Sequence, residues 1–435
     1  MVLSGVIPYG VLPSWMYHAQ LPPPDHVFNS ELPGFTWIDL VFPLFLFALG
    51  AAIPLALTRK IENRVPKTKI IFSILERGFL LGFFAIFLRH VRPHVLDPQP
   101  ETQQWLIAIS GFALMFALFT RFPSSWSQWL KRTVRGCGWI GAIVLLSLLR
   151  YPDGSGFSLG RSDIIIIVLT NVAVFGALIW FITRNNRMLR IGILGILIAL
   201  RLSHTEVGWI QWLWNATPVP WMYKLYYLQY LFIVIPGTIV GDLLNQWIRK
   251  KAPDFQSPDK WSAGRLATIA GLMFIFVLLS LIGLHSRWLW QTAVIGFILC
   301  TGGWFLVFRP NSDTEYHIKA LYSWAIYWFV LGLMFEPYEG GIKKDQPTLS
   351  YFFLTTGLSI FILIAFTVII DIFRKKKWLQ LLIDNGQNPM IAYVGFANFV
   401  LPVFALTGIH QWILSFTAHP WLGFMRGLFY TLIVA

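Results

Sequence analysis

An all-α, polytopic transmembrane helix bundle is the fold this sequence predicts, and three observations carry the prediction. Of 435 residues, 56% are hydrophobic and only 12% are charged. Apolar runs recur from end to end at about the 20 residues that cross ~30 Å of hydrocarbon. Runs such as 35–57, 225–248 and 349–372 are apolar nearly all round, without the charged face a soluble helix of that length would show.

In chain order the apolar spans are 1–13, 35–57, 70–88, 103–120, 136–149, 163–183, 191–200, 225–248, 266–284, 288–308, 320–335, 349–372, 388–406 and 421–435, about fourteen in all. The first and last fall short of a full crossing, and the expectation is that the sequence enters and leaves longer helices there. With the loop after the first span placed outside, the inside segments 58–69, 121–135, 184–190, 249–265, 309–319 and 373–387 hold 23 of the 34 Lys and Arg. The outside segments hold nine, and Arg77 and Arg426 lie within spans. Positive charge retained on the cytoplasmic side fixes the orientation. It also accounts for the net charge of +14 as a fringe facing anionic lipid, with no need of nucleic acid. Residues 1–435 read as one membrane domain. No segment between spans is long enough for a soluble appendage, and no cleaved signal peptide is evident. Cys137 and Cys300 both fall in spans, so no disulfide framework and no thiolate metal site is expected.

The candidates for chemistry are the ionisable residues inside apolar spans, because burying charge in lipid is expensive. Asp39 lies about one turn into its helix from the outer side, while Glu76 and Arg77 lie about two turns in from the cytoplasmic side. Asp242 and Asp371 lie near cytoplasmic ends. Eight of nine histidines, His18 among them, map to the outer side and only His317 maps inside. No pair has the spacing of a helical metal site, so no metal is expected. Gly and Pro interrupt several spans, as in Pro43, Pro54 and Pro236 with Gly237, a pattern that also suits transporters. On these features alone a membrane-embedded enzyme and a transporter or flippase for a glycan or lipid precursor stay level.

The stretch "MYHAQLPPPDHVFNSELPGFTWIDLVFPLFLFALG" alters that balance. Its His18-Ala19, Gly34, Thr36, Asp39-Leu40-Val41-Phe42-Pro43 and Gly50 resemble the signature of the heparan-alpha-glucosaminide N-acetyltransferase family and its bacterial relatives. Weaker echoes follow at Arg77, "IPGTIVGDLL", "PTLSYFFLTTGLS" and "GQNPMIAYVG". The resemblance implies a transmembrane acetyltransferase that takes an acetyl group from cytoplasmic acetyl-CoA and delivers it to a sugar amine or hydroxyl on the far side, with His18 catalytic. It further implies substrate or cofactor contacts at Arg77, Asn388, Ser350 and Tyr351. It places the chain in a bacterial cytoplasmic membrane, with lipids around it and homo-oligomer formation left open. Two departures stand out. An Asn of the family's lysosomal member is replaced here by Ser4-Gly5, and helix pairs near 163–200 and 288–335 look like additions.

Acyl transfer to an amine needs a proton acceptor and stabilisation of a tetrahedral intermediate. A neutral His18 can accept the proton, or accept the acetyl group and pass it on. Asp39 is the candidate to fix its tautomer, although capping its own helix or pairing with Arg77 are competing roles. The phosphates of acetyl-CoA belong at the cytoplasmic fringe, against Arg59, Lys60, Arg64, Lys67 and Lys69 or Arg374 to Lys377. The prolines of "LPPPD" are expected to hold the His18 loop extended.

Overall fold

A computed structural model describes residues 2–10, 12–206, 208–250 and 261–434, and these fold as helices joined by short loops. Among the described residues the only β feature is an isolated antiparallel bridge between Val219 and Tyr223. Nine helices among them are long and apolar enough to cross a membrane: Trp37–Glu62, Lys67–His90, Thr102–Phe119, Ile164–Thr183, Leu225–Lys250, Ala263–His285, Leu289–Leu306, Leu349–Ile372 and Pro389–Leu406.

The remaining five expected spans fall short of that measure for visible reasons. Gln128–Leu148 opens with Lys131, Arg132 and Arg135, and Asp313–Met334 with Asp313, Glu315 and Lys319. Arg187–Ser203 and Pro420–Val434 are 17 and 15 residues long. Among the described residues of the first span only Val2–Val6 is helical. That segment packs on the last helix, where a Cβ added to Gly423 would stand 2.7 Å from Pro8 Cγ.

Contacts between segments respect the two sides read from the charges. On one face Ser14 Oγ lies 2.9 Å from His285 Nε2, Lys343 pairs with Glu31 at 3.2 Å, and Arg201 pairs with Glu339 at 2.7 Å. On the other, Arg249 pairs with Glu62, Lys250 with Asp313 at 3.0 Å, and Arg265 donates to the carbonyls of Leu306 and Phe308. Each of the other bonds joins segments assigned to the same side, and Arg265 reaches the end of span 288–308 that adjoins the inside segment 309–319.

The centre of the bundle is made by Trp37–Glu62, Ile164–Thr183, Leu231–Lys250, Asp313–Met334 and Leu349–Phe366. Helices gain little from the hydrophobic effect when lipid is the alternative, so close backbone approach takes over as the means of association. Small residues make that approach here. A Cβ on Gly237 would stand 2.6 Å from Phe47 O and 3.1 Å from Gly50 Cα, and Gly50 and Gly241 meet the facing carbonyls of Val234 and Ala51. Likewise a Cβ on Gly357 would stand 2.7 Å from Phe329 N. One buried ion pair locks the same region: Arg190, with no exposed surface, reaches Asp242 at 2.7 Å and the hydroxyls of Thr183 and Thr238 at 3.1 Å each. Trp180 Nε1 donates to the other Asp242 oxygen at 2.9 Å. A buried charge left without such partners would be strongly destabilising.

The obstacle at Gly237 is backbone, which cannot swing aside. Gly237→Ala is therefore expected to cost about 1–3 kcal/mol. It should lower the midpoint of thermal unfolding followed by tryptophan fluorescence in detergent. Gly192→Ala, whose added Cβ has nothing within 4 Å, is the control and should unfold as the parent does.

Candidate active site

The site starts from the N-terminus of a helix. Thr36 caps Trp37–Glu62, and Asp39, three residues on, turns its carboxylate back toward the unbonded amides of that end. Asp39 Oδ2 accepts from Thr36 N at 3.1 Å and from Ala19 N at 3.2 Å, while the Thr36 hydroxyl lies 3.0 Å away and also 2.8 Å from Tyr17 O. The other oxygen, Oδ1, is 2.8 Å from His18 Nδ1. One carboxylate thus caps its helix and holds the histidine loop, an oxygen for each task.

The sequence around His18 folds to allow this. Gly34 suits its place, because a Cβ there would stand 3.0 Å from Ala19 Cβ and press on the His18 loop. His18, Ala19, Gly34, Thr36 and Asp39, scattered over 22 positions, form one contact cluster. Residues 23–25 form a turn with a cis peptide between Pro23 and Pro24, instead of the extended run expected from "LPPPD", and His26 N closes it on Pro22 O at 3.1 Å. Tyr17, at the start of the cluster, donates to Pro8 O at 3.0 Å, and burial pushes its hydroxyl above its ordinary range, so it stays a donor.

Asp39 is nearly inaccessible, with 3% of its side chain exposed, whereas His18 keeps 31%. Two backbone N–H groups point at Oδ2 and the Lys344 ammonium lies 3.9 Å from Oδ1, surroundings that suit the ionised form of Asp39. A carboxylate 2.8 Å from Nδ1 requires the proton to be on Nδ1. Nε2, which has no hydrogen-bond partner among the described residues, then presents its lone pair.

A second loop closes on this cluster from 305 to 326 residues away. Gly34 N donates to Ile342 O at 2.9 Å, and the Gln20 side chain brackets Asp345, accepting from Asp345 N at 2.9 Å and donating to Asp345 O. Between these two ties Lys344 puts Nζ 3.1 Å from His18 Nδ1 and 3.9 Å from Asp39 Oδ1. Neither Gln20 nor Lys344 was singled out by the sequence. The one available signal was that Lys343 and Lys344 are charges on a side otherwise poor in them.

The remaining sequence candidates are placed as follows. Tyr351 is fully packed and its hydroxyl donates to Asp39 O at 2.9 Å, bracing the helix turn behind the carboxylate. Ser350 donates to Gly332 O at 2.8 Å between two helices. Arg77 is not beside Asp39. It lines a cavity of about 610 Å3 walled by Phe45, Leu49, Ile53, Phe84 and Leu169 and reached by Ser73, Arg121 and Tyr393. Asn388 is exposed, donates to Asp384 O at 3.1 Å, and precedes Pro389 and Met390 of the same cavity wall. Among the described residues no group of three or more His, Cys, Asp or Glu could hold a metal ion.

Comparison with known proteins adds two matches. A family model described as a domain of unknown function, DUF5009, matches residues 1–244. Human heparan-alpha-glucosaminide N-acetyltransferase is 30% identical over 152 residues, which cover 29% of this chain and 23% of that protein. The chain therefore spans less than a quarter of the curated relative it matches. No solved structure matches.

In Asp39→Asn the amide group either turns NH2 toward the backbone donors of Ala19 and Thr36 or toward His18 and Lys344, and loses acceptors both ways. Bonds to a charged acceptor are worth roughly 1.5–3 kcal/mol each. Amide hydrogen exchange over residues 17–20 and 34–37 is therefore expected to speed up about tenfold or more, read by mass spectrometry. Unchanged protection would show that the carboxylate does not hold the loop.

Proposed function

We propose that this chain, which belongs to the DUF5009 family, is a transmembrane acyltransferase that passes an acetyl group from cytoplasmic acetyl-CoA to a sugar amine or hydroxyl at the opposite face, with His18 as the reacting side chain. The observation that carries this reading is the His18 Nδ1–Asp39 Oδ1 contact of 2.8 Å with Nε2 left open on a part-exposed imidazole. It is the base-and-orienter half of a nucleophile–base–acid arrangement. The partial match to an N-acetyltransferase supports the reaction class.

In this reading Nε2 takes the proton of the acceptor amine as its nitrogen bonds to the thioester carbonyl carbon. The C–S bond then breaks and the proton passes to the departing thiolate. Alternatively Nε2 itself takes the acetyl group and yields it to the acceptor in a second step. Asp39 contributes by fixing the tautomer and by stabilising positive charge as it develops on the ring. Tyr351 acts as a positioning residue behind Asp39, and Ser350 ties the same helix to Gly332.

For the donor, the nucleotide phosphates would sit at the basic segments 59–69 and 374–377, where positive charge is densest on the proposed cytoplasmic side. The apolar cavity follows the Trp37–Glu62 helix from Leu57 to Phe45, about 18 Å at 1.5 Å per residue. It suits the pantetheine arm, with Arg77, Ser73, Arg121 and Tyr393 as the polar groups on its wall and Asn388 just before Pro389 of that wall. The sided charge distribution supports His18 facing away from the cytoplasm.

The test supplies labelled acetyl-CoA and glucosamine, with a hydroxyl-bearing sugar in parallel, to purified protein in proteoliposomes. Transfer is expected, and His18→Ala is expected to lower it by about a hundredfold or more. Equal transfer by both proteins would remove His18 from the reaction. Movement of a glycan or lipid precursor without turnover of acetyl-CoA would replace the enzyme with a transporter.

A further inference from the structure

The arrangement around Asp39 contains more than a histidine and its acid. Asp39 is buried at the head of a membrane helix, and a buried carboxylate needs a cation. Two candidates lie within 4 Å among the described residues, His18 and Lys344. They compete for the role. If His18 supplied the charge it would be an imidazolium, with no lone pair to accept a proton or an acetyl group.

Lys344 is held where it can take the role instead. The backbone on either side of it is tied down, Ile342 to Gly34 and Asp345 to Gln20, and Lys343 is closed on Thr348 through bonds of 3.1 and 3.2 Å. Three neighbouring charges of the same loop are already matched. Lys343 pairs with Glu31, Glu336 with Arg287 and Glu339 with Arg201, which leaves the Lys344 ammonium to Asp39. The 3.1 Å approach of Nζ to Nδ1 is then not a hydrogen bond, because Nδ1 already carries the proton it gives to Asp39. Nδ1 donates to Oδ1 at 2.8 Å, and the ammonium stands 3.9 Å from the same oxygen as its ion-pair partner.

We infer that Lys344 is the standing counter-cation of Asp39, and that by filling this role it keeps the His18 imidazole neutral with its proton on Nδ1 and its Nε2 lone pair free. Lys344 is a positioning residue in this account. Its significance for catalysis rests on the acyltransferase reading above, whereas its effect on the charge state of His18 does not.

The other ionisable groups facing the cluster are few. The Asp39 charge is felt by His285, which is bonded to Ser14. Asp345 is exposed and its charge is felt by Tyr351, and Glu31 is taken by Lys343. The hydroxyls of Tyr17 and Tyr351 are committed to carbonyl oxygens. None of these supplies a permanent positive charge to Asp39.

The experiment compares wild type, Lys344→Met and Lys344→Arg, labelled with 15N-histidine in nanodiscs, through a pH series. The His18 ring signals are assigned by their loss in His18→Gln, and the other histidine signals report that each variant is folded. Wild type and Lys344→Arg are expected to show the neutral, Nδ1-protonated ring at neutral pH. In Lys344→Met the imidazolium should be favoured, because the carboxylate then has no other cation within 4 Å among the described residues. Acetyl transfer in that variant should fall about tenfold at pH 7 and recover as the pH is raised, with Lys344→Arg near wild type. The same His18 titration in Lys344→Met and wild type would overturn the inference, and so would a loss of transfer at every pH with the titration unmoved. If wild type transfers no acetyl group but the titration moves as stated, the acyltransferase reading falls and the counter-cation stands.

Discussion

The carboxylate of Asp39 is the constraint on which the rest of the site depends. It is an anion at the head of a membrane helix with almost no access to water, and each of its lone pairs has to be met from within the protein. Three backbone or ring N–H groups and a lysine ammonium converge on it from three separate segments: the His18 loop, the Thr36 cap and the loop at 342–348. Removing any one partner leaves the others around an under-compensated charge. The same interaction therefore holds the loops around it and aims the imidazole.

The membrane helices matter to the site because they fix where Asp39 stands. Trp37–Glu62 is pressed against Leu231–Lys250 at Gly50, Gly237 and Gly241, so closely that main chain meets main chain. Behind it, Tyr351 ties the carbonyl of Asp39 to Leu349–Phe366, which is in turn pressed against Asp313–Met334 at Gly332 and Gly357. Packing without intervening side chains leaves little freedom for the helix to slide or turn. A loop histidine is thereby held with the precision of the scaffold, the condition that positioning by a fixed acid demands.

Much of this was legible in the sequence, and for identifiable reasons. The apolar runs forecast the long helices because lipid enforces a 20-residue period of its own, and the Lys and Arg counts sorted the loops into two sets that the contacts respect. His18, Ala19, Gly34, Thr36, Asp39 and Gly50 were noticed as a motif, and each has a contact that restricts its identity. Asp39 was left between capping and orienting, and its two oxygens do both. What hydropathy could not give was the strength of the amphipathic or short helices, which is why about fourteen spans were expected and nine among the described residues meet the measure. Nor could spacing reveal contacts over 300 residues apart, such as Gln20 with Asp345 or Lys344 with His18. The buried pair Arg190–Asp242 was missed likewise: Arg190 read as one more cytoplasmic charge, and only tertiary packing shows it enclosed.

The central claim is that His18 and Asp39 act as one unit in acyl transfer, and a double-mutant cycle on acetyl transfer tests it most directly. Rates are compared for wild type, His18→Ala, Asp39→Ala and the double variant, each reconstituted under the same conditions. Residues that work as a unit are strongly non-additive, so the double variant should be no slower than His18→Ala alone. Losses that multiply, with the double variant slower by the product of the two single effects, would contradict the account.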